Sequence, residues 1–203
     1  MNGHRPVRGN PIREQNPAYG LLQPIYLRSY VEDQQLWQHG LRLLNTLLND
    51  MPPDKKLLLS ELLTCYREAK ESQAAITMAI DSKTACSDCS GQCCLNGKYR
   101  MNVFDALSHC AAGISVLPDF LQKPFCPYGN ALGCTLEPGL RPADCILFIC
   151  DTLDMRLSDD IRTDLDSCEK KIRKSLREAS YLLNVPATTP LLLWAEKSAI
   201  ITP

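Results

Sequence analysis

The side chains best equipped for chemistry are cysteines, and they are crowded. Cys86, Cys89, Cys93 and Cys94 form one block and Cys126, Cys134, Cys145 and Cys150 a second, so eight of the 11 cysteines fall in two blocks of four between residues 86 and 150. Two cysteines separated by two residues sit on a turn that brings both sulfurs within reach of one ion, about 2.3 Å for zinc. Gly91, between Cys89 and Cys93, frees the backbone to fold back so that a third sulfur arrives at the same centre. Adjacent Cys93 and Cys94 ordinarily point apart. One is therefore expected to join Cys86 and Cys89, with Cys94 preferred, and the other to serve a second ion or pack nearby.

The second block supplies the remaining sulfurs. On one unbroken helix Cys145 and Cys150 would be about 140° apart, at 3.6 residues per turn. Either the helix begins after Cys145 or the two serve different sites, and Pro142 and Asp144 fit a helix start here. All eight cysteines are thus predicted metal ligands. The centre is either a [4Fe–4S] cluster or zinc. Four thiolates around Zn²⁺ or around [4Fe–4S]²⁺ leave the same charge of −2, so nearby cations or N–H donors are needed. Lys98, Arg100 and Arg141 are the candidates, Arg141 also for a structural role. Neither the repeated Cys-x2-Cys pair of zinc knuckles nor the bacterial ferredoxin run fits the spacing; the Cys126-Pro127 step tilts the choice toward iron–sulfur. His109 is a possible extra ligand, though a lone helical histidine is more often a core or surface residue. Cys110 is a reserve ligand.

Composition bounds the alternatives. The 203 residues suit one domain, and 22 basic against 23 acidic residues give a net charge of −1. No overall field draws in nucleic acid or an anionic membrane, and aromatics at 6% argue against a base-stacking surface. Neither a nucleic-acid partner nor a membrane is expected, and no protein partner is indicated. The first 25 residues hold no apolar h-region of a secretory signal, and the runs Leu57 to Leu59 and Leu191 to Trp194 are too short to span a bilayer. The expected location is the cytoplasm, where clustered cysteines act as ligands or redox groups more often than as bridges. There is no G-x-G-x-x-G, H-E-x-x-H or G-x-S-x-G run, so nothing announces an enzyme.

The elements that must position the sulfurs are mainly helical. Residues 1–20, rich in Arg, Asn, Gly and Pro, are expected to be a flexible arm, and 21–203 a single domain. A first helix is predicted from Ser29, capped by the Ser29/Glu32 box, with Trp37, Leu41, Leu44 and Leu48 on one face. Pro52 and Pro53 break it. A second is predicted after Asp54 as N-cap, with Leu58, Leu62, Cys65, Ala69 and Ile76 inward, which makes Cys65 a core residue. Residues 82–100 read as a polar loop. A third helix spans Asn102 to about Ala112, with Asn102 as cap, Asp105 completing a box and Gly113 as stop. Residues 118–144 hold five prolines and three glycines, too many for a long regular element, and a metal would order them. From Ser158 to about Leu183 a long helix buries Ile161, Leu165, Cys168, Ile172, Leu176, Ala179 and Leu183. A short last helix starts at Pro190 with Thr189 as cap. The predicted class is mainly α: helical parts at about 29–81 and 158–200 packed around an irregular, cysteine-rich, metal-organised segment at about 82–150.

With these residues in hand, the run CSDCSGQCC, then FCPYG, a further cysteine and RPADCILFIC, resembles the YkgJ-like cysteine-cluster family, described as a putative zinc- or iron-chelating domain with a CxxCxxCC signature. The likeness covers about residues 86–150, and three residues rather than two separate Cys89 from Cys93. It implies a metal-chelating role. Relatives of the signature occur within a flagellin lysine methylase, which implies, by resemblance only, an iron–sulfur-dependent redox or protein-modifying enzyme as the alternative. A helical interaction protein with a structural zinc site is a third reading.

Overall fold

The computed structural model describes residues 28–89, 91–121, 126–130 and 133–201. The expected arm at 1–20 lies outside them. The chain is mainly α, with helices α1 (Tyr30–Asp50), α2 (Pro53–Ala79), α3 (Ser82–Asp88), α4 (Val103–Ala111), α5 (Ala143–Leu147), α6 (Asp151–Asp154), α7 (Asp159–Leu183) and α8 (Leu191–Ile201). Two 3-10 helices, Gln92–Tyr99 and Pro138–Leu140, and an antiparallel pair of two-residue strands, β1 (Gly129–Asn130) and β2 (Gly133–Cys134), complete the described elements.

Local signals set several boundaries as expected. The Ser29 side chain accepts from the Glu32 N–H, and the Glu32 carboxylate accepts from the Ser29 N–H at 2.8 Å. Asn102 and Asp105 form the same reciprocal box at the start of α4, and Gly113, at φ 66°, ends its run. Ser158 caps α7, whose buried face includes Leu165, Cys168, Ile172, Leu176, Ala179 and Leu183. At the start of α2, however, the cap position is Pro52 and Pro53 is the first helical residue, which leaves Asp54 in the first turn. A missing proline N–H costs nothing there, because that donor has no intrahelical partner. Likewise α8 begins at Leu191, because Pro190 is held in a bridge with Asn102.

The inward face of α2 is rotated from the expected one. Leu59, Tyr66, Ala69, Lys70, Gln73 and Ala74 are buried, while Leu58 and Cys65 are exposed. Cys65 is therefore not core filler. Apolar periodicity misplaced the stripe because two inward positions are polar. Lys70 is fully buried and paired with fully buried Asp105 on α4 at 3.0 Å.

The most extensive helix contact is between α2 and α7, and α1 packs on α8. At that second contact a Cβ on Gly40 would lie 2.9 Å from Leu191 Cδ1, so any larger residue would displace the Leu191 side chain. The N–H groups of Leu191 and Val103 donate to Met101 and Thr189 carbonyls at 2.8 and 2.9 Å, which stitches α4 to α8. Trp37, Phe120 and Tyr128 form an aromatic cluster that ties α1 to the proline-rich stretch. No helix among the described residues is long and apolar enough to cross a membrane.

Candidate metal centre

Within the stretch expected to be a loop, Ser82–Asp88 and Gln92–Tyr99 are helical. Asp81, at φ 61°, turns the chain out of α2 and into α3. Buried Ala85 anchors α3, so Cys86 faces solvent and Cys89 is half-buried at the C-cap. The Cys89 Sγ lies 3.4 Å from the Cys86 carbonyl oxygen, so the pair occupies one turn. Gly91 takes φ 65°, donates its N–H to the Cys86 carbonyl at 3.1 Å and opens the 3-10 helix Gln92–Tyr99. The reversal expected at Gly91 is present; the helical conformation on either side of it had no apolar periodicity to announce it.

Cys93 and Cys94 sit at the start of that 3-10 helix. Three residues per turn put neighbours about 120° apart and eclipse residues three apart. Cys94 thus shares a face with Gly97. Cys126 rests on Gly97 so closely that a Cβ there would fall 1.9 Å from Cys126 Cβ and 2.9 Å from its Sγ. The Cys126 sulfur also lies 3.5 Å from the position of a Cβ on Gly129, whose strand register places Gly129 opposite Cys134. The Gly129 N–H donates to the Cys126 carbonyl at 3.1 Å, and Thr135 donates through both N–H and hydroxyl to the Tyr128 carbonyl at 2.9 Å.

The last two cysteines are split by a helix break. Cys145 is on α5, which ends at Leu147, and Cys150 is the N-cap residue of α6. The helix start expected near Pro142 is present, but α5 begins before Cys145 rather than after it, and it ends before Cys150. Asp105 fixes α5: its carboxylate accepts from Tyr66 Oη at 2.8 Å, Lys70 Nζ at 3.0 Å and the Ala143 N–H at 3.1 Å. Lys70 also donates to the Arg141 carbonyl at 2.8 Å, and Gln73 to the Ile146 carbonyl at 3.1 Å. Cys150 is carried to α3 by packing of α6 on it, and Arg156 donates to the Ile80 and Asp81 carbonyls at 3.2 and 3.1 Å.

Five of the thiols, Cys86, Cys93, Cys94, Cys126 and Cys145, are shifted by their surroundings. Burial raises the Cys86 thiol pKa, and charge at Cys93, Cys89 and Cys150 raises it further. The Cys93 thiol is lowered to about 6, chiefly by a hydrogen bond from Cys94 and secondarily by the Arg100 guanidinium. The Cys94 thiol is raised, first by that same bond, then by burial and by charge at Cys93, Cys126 and Cys145. Burial raises Cys126, with Cys134 and Cys93 adding to it. Cys145 reaches solvent on one side, yet protein encloses the rest and desolvation pushes it up to about 12, with charge at Cys134, Asp105 and Cys126 contributing. Cys93 acts on both Cys86 and Cys126, and its side chain is hydrogen-bonded to that of Cys94, so the adjacent pair lies between the two blocks.

Arg100 is a cation of this region, and Arg141 also acts on Cys86. Arg100 donates to the Cys93 and Asp144 carbonyls, each at 3.3 Å, and lies over the Phe148 ring at 5.6 Å. Lys98 instead pairs with buried Asp33 on α1. Arg141 Nε donates to the Leu136 carbonyl at 3.0 Å, which braces its own turn. His109 is buried with Nε2 2.7 Å from the Leu140 carbonyl, a core histidine tying α4 to the second 3-10 helix. Cys110 is half-buried against the core, and Cys168 is buried on α7; none of the eight thiols perturbs either. Among the described residues, no three His, Cys, Asp or Glu side chains are gathered tightly enough to hold an ion as they stand.

The donor chemistry fits a soft metal. Thiolates favour zinc, copper(I) and iron–sulfur centres over the hard cations that oxygen ligands select. Comparison with protein-family models, curated proteins and solved structures gives no match to this chain.

Proposed function

We propose that the chain is a metal-binding protein that holds an iron–sulfur cluster or zinc through the thiolates of Cys86, Cys89, Cys93, Cys94, Cys126, Cys134, Cys145 and Cys150. The observation that carries this reading is the meeting of the two cysteine blocks, with Cys126 seated on Gly97 of the 3-10 helix that carries Cys93 and Cys94, and Cys86 and Cys89 sharing the turn before it. Crowded thiols repel one another when ionised, so a cluster of them is costly unless a cation offsets the charge. A bound metal supplies that offset and displaces the thiol protons. Arg100 lies beside the cluster and supplies a smaller part of the same compensation. The likeness to the YkgJ-like signature points to the same chemistry.

The role of the metal in this reading is to tie the second block to the first. Among the described residues of 126–150 the elements are short: one pair of two-residue strands, a three-residue 3-10 helix and one five-residue helix. Metal binding by such a segment is coupled to its folding. Cys89→Ala tests the proposal: bound metal falls and the melting temperature drops when the variant is purified anaerobically beside the parent. Full metal content with an unchanged melting curve refutes it. The visible absorbance of an iron–sulfur centre separates that form from colourless zinc protein.

A further inference from the structure

We propose that two copies of the chain associate through the solvent face of α7, laid antiparallel about a two-fold axis level with residue 168, so that Asp159 and Asp166 of each copy meet Arg177 and Lys170 of the other.

Helical spacing sets the face. At 3.6 residues per turn, Asp159, Thr163, Asp166, Lys170, Arg177 and Tyr181 fall on one exposed stripe, opposite the side that buries Leu165, Ile172 and Ala179. Charge along α7 divides at its middle. Residues 159–169 hold five acidic side chains and one basic, and residues 170–178 hold five basic and one acidic. The helix macrodipole favours acids at the start and bases at the end, but it acts within the first and last turns. Asp166 and Lys170 lie near the midpoint of this 25-residue helix, so the dipole does not account for them.

Pairing within the chain leaves these same groups over. Arg162 pairs with Asp154 at 2.6 Å, Arg173 with Glu169 at 2.5 Å and Lys174 with Glu178 at 3.7 Å. Among the described residues, no ion pair takes up Asp159, Asp166, Lys170 or Arg177. These four positions are symmetric about residue 168, with 159 matching 177 and 166 matching 170. An antiparallel helix pair in that register therefore sets every acid of the stripe opposite a base, and the two-fold axis makes each contact twice. A parallel pair would set Asp166 against Asp166 and Lys170 against Lys170, so charge fixes the direction. The ends carry apolar side chains. Tyr181 and Met155 are each 81% exposed, and Met155 follows Asp154, which Arg162 holds at the start of α7. The same register brings Tyr181 of one copy level with Met155 of the other. Exposed ion pairs are individually weak and are screened by salt, so this is a weak, salt-sensitive dimer, and it does not depend on the metal.

Sedimentation equilibrium of the full-length chain, kept under reductant so that no disulfide links copies, tests it. At low salt the mass is expected to rise with protein concentration toward twice that of the chain. The dissociation constant is expected to rise about tenfold or more between about 0.05 and 0.5 M NaCl. Asp166→Lys and Lys170→Asp each set like charges together, and each is expected to sediment as a monomer. An equimolar mixture of the two variants is expected to dimerise again, because the reversal in one chain complements the reversal in the other. Both positions are exposed, and far-UV circular dichroism checks that each variant is folded; if one is not, Asp159→Lys and Arg177→Asp replace the pair in the same design. A parent that stays monomeric at every concentration and at low salt overturns the proposal. A dimer that survives both single reversals also overturns it, because another face then holds the copies together. A mixture of the variants that stays monomeric overturns the antiparallel register.

Discussion

Replacing Asp105 by asparagine strikes the contact that holds the second cysteine block to the helices. The Asp105 oxygens accept from Tyr66 Oη, Lys70 Nζ, the Ala143 N–H and, at 3.4 Å, the Asn102 N–H. Every neighbour is a donor. An amide turns one oxygen into a donor facing donors and removes the charge opposite fully buried Lys70, which keeps a neutral amide oxygen, the Arg141 carbonyl and the face of the Tyr66 ring at 4.3 Å. Breaking a buried ion pair from one side costs about 3–5 kcal/mol. For a chain of this size each kcal/mol lowers the melting temperature by about 2–4 °C, so the drop is about 6–20 °C. Lys70→Met should cost less, because Asp105 keeps the Tyr66, Ala143 and Asn102 donors. Thermal and urea unfolding of both variants, followed by circular dichroism, measures the pair. An asparagine variant melting within about 2 °C of the parent, or a methionine variant less stable than the asparagine one, would refute this reasoning.

Gly97→Ala forces a Cβ into Cys126 and should cost about 1–3 kcal/mol by overpacking, with bound metal falling because Cys126 is driven from Cys94; metal analysis beside urea unfolding checks both. Cys65→Ala, at an exposed position on α2, should leave metal content unchanged and stability within about 0.5 kcal/mol; metal loss would show that Cys65 reaches the cluster. Burial lowers the His109 pKa below its ordinary value, so the folded chain prefers the neutral ring. The stability this gives is complete above the unfolded value, about 6.5, and is lost as pH falls through it toward the folded value. His109→Gln should therefore flatten the fall in urea midpoint between pH 7.5 and 5.5, and an unchanged slope would rule out a neutral buried ring.

The capped and strongly periodic parts of the chain were legible in the sequence. The Ser29/Glu32 and Asn102/Asp105 boxes and the inward face of α7 depend on interactions within a few residues, which spacing reveals. The face of α2 was not, because Lys70 and Gln73 are turned inward by partners 35 and 73 residues away, Asp105 and the Ile146 carbonyl. A long-range ion pair leaves no mark in apolar periodicity. The helical character of 82–100 was hidden for another reason: α3 and the 3-10 helix bury little, and Ala85 and Gly97 are their buried residues. As for the site, the two blocks and a helix start near Pro142 could be read from spacing, and the break between Cys145 and Cys150 could not. Which cysteine faces which could not, since it follows from a 3-10 turn and from Cys126 seating on a glycine 29 residues before it.

The metal-to-protein ratio of the full chain, purified without oxygen and determined by elemental analysis, bears most directly on the whole account. A stoichiometric content of iron or zinc that survives desalting, and that leaves with the thiols on alkylation, is the predicted outcome. A folded, metal-free chain whose eight central thiols all react as freely as exposed Cys65 would contradict it.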